Sequence, residues 1–154
     1  MADRISVSRV IPAPPEPIFD LLADPSRHAE IDGSGTVQGA RSGTRRLALG
    51  DSFGMSMRMG VAYSTRNVVV TFEENRRIAW QTLAAPPISL VLTGRVWRYE
   101  LEPVAGGTKV TETWDISTES PVSRPLVRAF MSSSTRAAME RTLERIEAVV
   151  APAS

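Results

Sequence analysis

The sequence contains no cysteine and a single histidine among its 154 residues. Without cysteine the chain can form no disulfide bond, no thiolate metal site and no cysteine nucleophile. One histidine makes a histidine metal cluster or a serine-histidine-aspartate triad hard to build, so we expect no metal and no cofactor. That residue, His28, follows "DPSR" after a predicted helix and is expected to be a solvated or hydrogen-bonded loop residue.

The chain also lacks a large net charge and any long apolar run. Its 18 basic and 17 acidic residues leave a net charge of +1, which argues against a nucleic-acid or acidic-membrane partner. No run approaches the roughly 20 apolar residues that cross a bilayer. Charges interrupt the N-terminal stretch "MADRISVSRV", where a signal peptide would be apolar. We therefore expect a cytoplasmic protein without an integral membrane segment.

Length and periodicity predict one α+β domain over residues 1–154. A strand is predicted at residues 5–11, and a proline-rich entry then leads into a short helix that ends at Asp24. A weak strand and a loop are predicted over residues 33–50. Strand follows strand from Asp51 onward, and the sequence does not decide between a monomer and a homodimer.

The central strands alternate with the period of two that a half-buried strand requires. Val68, Val70 and Phe72 alternate with more polar neighbours, and a strand is predicted over residues 88–102. After it a long amphipathic helix is predicted from residue 123 to residue 149. The middle of the apolar stripe of this helix is small or polar, and small residues opposite a curved sheet leave room.

The stretch "VTETWD" places a carboxylate on an apolar strand face, because Glu112 shares its side with Val110 and Trp114. The glycine-rich turn in "PVAGGT" joins this strand to the one before it and fixes the register. If Leu101 faces Val110, Tyr99 faces Glu112. The same register pairs Trp97 with Trp114 and, on the outer face, Glu102 with Lys109.

Three segments resemble the START-like (SRPBCC, Bet v 1-like) superfamily and, within it, the polyketide cyclase/dehydrase-like branch. They are "APPEPIFDLLADPSRHAEI", "RRIAW" and "WRYELEPVAGGTKVTETWD". The resemblance implies a helix-grip fold, in which a curved antiparallel β-sheet wraps around a long C-terminal α-helix, with two short helices after the first strand. It also implies an apolar cavity between sheet and helix.

By position, the resemblance implies a set of residues around that cavity. From the sheet these are Met55, Met57, Phe72, Trp80, Trp97, Tyr99, Glu112 and Trp114, and from the helix Phe130, Met131 and Ser134. The tryptophans and methionines are equally consistent with an ordinary core. No catalytic motif of the aromatic cyclases matches residue by residue, and we expect no histidine in the cavity to act as a general base.

The sequence predicts the binding of a small hydrophobic ligand, such as a lipid, a polyketide or an isoprenoid-like molecule. One alternative is a polyketide cyclase/dehydratase-like enzyme with Glu112 and Tyr99 as candidate catalytic residues. Another is a protein-interaction module of co-chaperone or toxin type, whose concave face is filled by side chains. For Glu112 itself, a purely structural role is also possible on the sequence alone, in which Arg95 or buried water forms hydrogen bonds with its carboxyl group.

Overall fold

A computed structural model describes residues 4–35, 37–40, 46–59, 61–84 and 94–151. Within these ranges the chain forms strands, helices and a single 3-10 turn at Pro25–Arg27. The elements in chain order are β1 (Arg4–Ile11), α1 (Pro15–Leu22), α2 (His28–Ile31), β2 (Val37–Ala40), β3 (Ser52–Met59), β4 (Val61–Glu73), β5 (Arg77–Ala84), β6 (Arg95–Val104), β7 (Gly107–Asp115) and α3 (Arg124–Val150).

The strands form one curved antiparallel sheet, in the order β1-β7-β6-β5-β4-β3-β2. Helix α3 packs against β1 and β7, and the short helices α1 and α2 also lie against it. This is the helix-grip architecture, so the predicted fold is confirmed. Strand β6 begins at Arg95, and residues 85–93, where a longer strand was predicted, lie outside the described ranges.

The predicted register between β6 and β7 is also confirmed. Tyr99 lies opposite Glu112, Trp97 opposite Trp114, and Leu101 opposite Val110. Between the two strands the chain turns through Gly106, whose φ is +90°, and Gly107, whose φ is +148°. A Cβ on Gly107 would come within 2.0 Å of the Ile11 carbonyl oxygen, so this turn needs glycine for space as well as for conformation.

Strand β4 departs from the strict alternation that the sequence indicates. Its pairing with β5 shifts by one residue between Val69 and Thr71, which is the signature of a β-bulge. As a result Val69 faces inward opposite Trp80 with 1% of its surface exposed, whereas Val70 is 44% exposed. The prediction that Val68, Val70 and Phe72 share one face is therefore wrong beyond the bulge.

The interior divides into a packed end and an open end. At the packed end, α1 begins with proline in its first turn and buries Ile18, Phe19, Leu21 and Leu22 completely. The ring of Phe19 meets Phe72 edge-on, with 5.3 Å between the ring centroids. At the open end, side chains do not fill the space between sheet and helix.

The loop after α2 is held against α3 by glycine and by hydrogen bonds. The Gly33 amide donates to Thr142 Oγ1 at 2.9 Å, and Arg141 Nε donates to the Gly33 carbonyl at 2.8 Å. A Cβ at Gly33 would lie 2.2 Å from the carbonyl oxygen of Ala138. Only glycine lets the backbone approach the helix this closely.

Candidate functional site

The open end of the interior is a cavity of about 470 Å³ between the concave face of the sheet, α2 and α3. This volume lies in the range of pockets that hold small organic ligands, roughly 300–1,000 Å³. Its wall combines aromatic and aliphatic side chains with several polar groups. The elements that build it are therefore α2 with the loop after it, strands β2 to β7, and the middle of α3.

Most of the residues expected around the cavity are brought together there. The cavity wall includes Met55, Met57, Trp80, Trp97, Tyr99, Glu112, Trp114 and Ser134. The side chains of Phe130 and Met131 lie outside the described part of the structure. The middle of α3 contributes Ser134, Thr135 and Ala138, so the small and polar part of the helix does face the cavity.

Phe72 does not line the cavity. It pairs with Ile78 on β5, next to Phe19, and the guanidinium carbon of Arg46 lies 5.9 Å from its ring centroid. The reason for this placement is that α1 covers that end of the sheet. Position along β4 therefore assigns Phe72 to the packed end of the interior.

Glu112 and Tyr99 form a buried hydrogen-bonded pair in the cavity wall. The Tyr99 hydroxyl donates to Glu112 Oε2 at 3.0 Å, and only 2% of the surface of Glu112 is exposed. Oε1 has no hydrogen-bond partner among the described residues, so the carboxyl is not satisfied by Arg95. The strand register that placed these two residues opposite each other accounts for the contact.

The environment favours the neutral form of this carboxyl group. Burial raises the pKa of Glu112 from its usual 4.5 to about 8, although the hydrogen bond from Tyr99 opposes the rise. The nearby carboxylate of Asp32 adds to the increase. Burial and the neighbouring Glu112 also raise the pKa of the Tyr99 hydroxyl well above its usual value. At pH 7 the pair is therefore mostly an uncharged acid beside an uncharged phenol.

His28 lies in the cavity wall, so the expectation that the cavity holds no histidine is wrong. It is hydrogen-bonded, as one of the two expected possibilities, but it is neither solvated nor in a loop. It begins the short helix α2, where it is 7% exposed, and its Nε2 donates to the Leu22 carbonyl at 2.9 Å. The imidazole stacks on Trp80 with 5.0 Å between ring centroids and meets Phe53 edge-on at 5.5 Å. Burial lowers the pKa of His28, so the ring is neutral at pH 7.

The sequence carried a signal for His28 in the spacing of "HAEI". His28 and Ile31 are three residues apart and both are buried, which is the pattern of a single inward-facing helical turn. A four-residue helix is too short for periodicity to establish, because an isolated turn has no second apolar repeat. The buried position of His28 therefore depends on tertiary packing.

A cluster of three polar side chains on β4 and β5 was also not predicted from the sequence. Thr82 Oγ1 donates to Asn67 Oδ1 at 2.7 Å, and Asn67 Nδ2 donates to Thr65 Oγ1 at 3.3 Å and to the Phe53 carbonyl at 3.4 Å. These side chains satisfy one another and leave a polar stripe on the cavity wall. All three come from strand positions that face inward.

Two other features were looked for among the described residues, a metal site and a membrane-spanning helix. No group of three or more histidine, aspartate or glutamate side chains among them is arranged to hold a metal ion. None of the helices in the described ranges is both long enough and apolar enough to pass through a membrane.

Comparison with known proteins connects this fold and cavity to a family. Residues 2–151 match the model of the family described as polyketide cyclase / dehydrase and lipid transport. The uncharacterized protein Rv0088 of Mycobacterium tuberculosis strain H37Rv is 32% identical over 148 residues, which are 93% of this chain and 62% of that protein. The chain thus spans less than two thirds of the curated relative that it matches.

Solved structures show the same fold at low sequence identity. The crystal structure of protein CV1439 from Chromobacterium violaceum is 16% identical, has a TM-score of 0.76 and is matched over 99% of this chain and 100% of its own. The di-domain ARO/CYC StfQ of the steffimycin biosynthetic pathway is 15% identical, with a TM-score of 0.69 over 96% of this chain and 50% of its own. With the family match over nearly its whole length, the chain belongs to the polyketide cyclase / dehydrase and lipid transport family.

Proposed function

We propose that this chain binds a small hydrophobic molecule, of the lipid, polyketide or isoprenoid type, in the cavity between the sheet and α3. The observation that carries the proposal is the cavity itself, with about 470 Å³ of space lined by three tryptophans, three methionines and the buried Glu112–Tyr99 pair. An apolar pocket with a few converging polar groups is the usual form of a ligand site. The family to which the chain belongs supports the same class of function.

Glu112 supplies the polar end of this interaction. Tyr99 donates to Oε2, so the proton of the neutral carboxyl is carried by the unpaired Oε1. The terminal torsion of a glutamate side chain has a broad energy profile, so a small rotation turns Oε1 toward a ligand. The ligand atom that suits this position is an acceptor, such as a keto oxygen.

The cavity argues against a protein-interaction module with a filled concave face. In that function the space between sheet and helix would be occupied by side chains. Here the middle of α3 presents Ser134 and Ala138 to the sheet, and neither is large enough to close the gap. The two tryptophans Trp97 and Trp114 border the space instead of filling it.

Native mass spectrometry of protein purified from its natural source tests the proposal, with organic extraction of the bound material. We expect a stoichiometric apolar compound that is lost on denaturation. The matched measurement is quenching of tryptophan fluorescence by fatty acids, isoprenoid alcohols and aromatic ketones, because three tryptophans border the cavity. Protein that arrives empty and responds to none of these compounds would contradict ligand binding.

A second candidate is a cyclase or dehydratase-like reaction at the same pair. The observation that favours it is a carboxyl group whose pKa of about 8 lies close to neutral pH, since a catalytic acid or base works best near its own pKa. The structural likeness to the di-domain ARO/CYC StfQ is consistent with this reaction class. In this candidate Glu112 transfers the proton and Tyr99 polarises a carbonyl.

The substitution Glu112→Gln separates the two candidates. Glutamine keeps the shape and can still accept the Tyr99 hydrogen bond, but it cannot exchange a proton. If the pair is catalytic, turnover of a polyketide substrate falls by at least a hundredfold while the ligand Kd changes by less than about threefold. Unchanged turnover would rule out Glu112 as the proton-transferring group and leave the binding function standing.

A further inference from the structure

Two polar atoms of the cavity wall have no hydrogen-bond partner among the described residues. One is the buried Oε1 of Glu112, and the other is Nδ1 of His28, whose hydrogen bond is made by Nε2. The Nε2 of His28 is committed to the Leu22 carbonyl, and because a carbonyl can only accept, the proton of the neutral ring resides on Nε2. Nδ1 therefore keeps an unshared lone pair. The residue lines the cavity, and 7% of its surface is exposed.

Two other polar residues of the same wall are already hydrogen-bonded. Asp32 accepts hydrogen bonds from the backbone amides of Ser34 and Val37, and Ser34 Oγ also donates to it. Asn67 is engaged by Thr65 and Thr82. In contrast, His28 and Glu112 each keep a polar atom for an incoming ligand.

These two partners stand at opposite sides of an aromatic surface. The His28 ring stacks on Trp80, Trp80 lies 5.6 Å from Tyr99 between ring centroids, and Tyr99 bonds to Glu112. Trp80 is on β5 and Glu112 on β7, with β6 between them, so the backbones of Trp80 and Glu112 are on the order of 10 Å apart at the usual spacing of strands. The rings of Trp80 and Tyr99 lie between them, tilted by 33° to each other.

We infer that the cavity recognises a ring-containing molecule with polar groups at both ends, a hydroxyl that donates to Nδ1 of His28 and a carbonyl oxygen that accepts from Glu112. This inference rests on the proposed function and specifies its ligand. The neutral ring of His28 supports it, since a protonated imidazole would have no acceptor to offer. In this arrangement His28 selects a ligand that has a hydroxyl group, and the apolar part of the ligand packs against the aromatic side chains.

Three compounds of the same skeleton test the inference. They are para-hydroxyphenylcyclohexanone, its para-methoxy counterpart and plain phenylcyclohexanone. All three carry the ketone for Glu112, but only the first can donate a hydrogen bond to His28. Their Kd values are measured with the wild-type chain by quenching of tryptophan fluorescence. We expect the hydroxyl compound to bind about fivefold to tenfold more tightly than the methoxy compound, as one net hydrogen bond provides.

The variant His28→Phe is the matched control, because phenylalanine keeps an aromatic ring over Trp80 and removes the acceptor. We expect the ratio of the Kd values of the methoxy and hydroxyl compounds to fall to about one, a readout that a merely structural role of His28 would leave at its wild-type value. A preference that survives in His28→Phe would overturn the role of His28. Equal Kd values for the three compounds in the wild type would overturn the inference and leave ligand binding intact, and no binding of any of them would overturn both for this class of compound.

Discussion

At the scale of single residues, Glu112 links stability to pH. Its folded-state pKa of about 8 is higher than the usual 4.5, so the folded chain holds a proton that the unfolded chain has lost in the interval between them. The stability that this proton supplies is fully present below pH 4.5 and is lost as the pH rises toward 8. The size of the effect is on the order of 3–5 kcal/mol for a shift of this extent.

We therefore predict that Glu112→Gln flattens the pH dependence. Glutamine cannot ionise, so the variant keeps its stability above pH 8, where the wild type carries a buried charge. The free energy of unfolding in urea, measured from pH 5 to pH 9, should fall in the wild type relative to the variant by about 3–5 kcal/mol. The exposed Glu140, changed to glutamine, is the control, and its curve should run parallel to the wild type. Parallel curves for Glu112→Gln would contradict a neutral, buried Glu112.

The contrast between Glu112 and His28 shows which single-residue features a sequence reveals. Glu112 and Tyr99 could be paired in advance because a glycine turn fixes the register of two adjacent strands. His28 could not, because the rings that pack against it belong to β3 and β5, which are distant in sequence. The local sequence pattern predicts which residues pair across a tight turn between two strands. It does not predict contacts between a short helix and strands that are distant in sequence.

At the scale of elements, the loop that follows α2 depends on one glycine. Gly33→Ala would set a Cβ 2.2 Å from the Ala138 carbonyl oxygen and 2.6 Å from the Thr142 amide, so loop or helix has to move. We expect a loss of about 1–3 kcal/mol in the free energy of unfolding, as for an over-packed site. We also expect weaker ligand binding, because Asp32 and Ser34 of this loop line the cavity.

Gly35→Ala is the comparison for this loop. Its φ of +74° makes alanine costly for the backbone, but no atom lies within 4 Å of the added Cβ. This variant should lose stability and keep the ligand affinity of the wild type. Equal affinities in Gly33→Ala and Gly35→Ala would show that contact between the loop and α3 does not shape the cavity.

The small middle section of α3 provides the second prediction at this scale. Ala138 lines the cavity, whereas its neighbour Ala137 is half-buried and does not. Ala138→Leu should place three added carbons in the cavity and lower the affinity for hydrophobic probes at least tenfold, with unfolding unchanged or slightly harder, since each buried methylene contributes about 0.8 kcal/mol. Ala137→Leu should keep the affinity of the wild type. A wild-type affinity in Ala138→Leu would place the ligand elsewhere.

Element order was readable from the sequence, and face assignments were readable only where the alternation is regular. The first strand, the first short helix, the run of antiparallel strands and the long helix follow from periodicity, proline and glycine, whereas the second short helix was implied only by the family resemblance. The bulge between Val69 and Thr71 could not be predicted from the sequence, because an extra residue in one strand is recognised only by comparison with the partner strand. Phe72 was expected in the cavity and lies at the packed end, because alternation along a strand does not show which part of the sheet α1 covers.

At the scale of the whole molecule, the packing that stabilises the fold and the cavity for a ligand lie at different ends of one interior. Ile11, Ile18 and Ile78 are completely buried and do not line the cavity, which Trp114 and the middle of α3 border. Strand β1 pairs with β7 along its whole length, and an ion pair between Arg9 and Glu147 joins it to α3. The packed end thus stabilises the fold, and the fold does not require side chains to fill the cavity at the open end.

This division predicts different costs for shortening side chains at the two ends. Ile78→Ala removes a fully buried side chain and leaves a closed void, so it should cost about 2–5 kcal/mol in the free energy of unfolding. Met57 is partly buried at the wall of a space that already exists, so Met57→Ala should cost about 1 kcal/mol or less. Urea unfolding of both variants without ligand measures the difference. Equal losses would mean that the open end is as tightly packed as the closed end, and the space for a ligand would then have to be opened by the ligand itself.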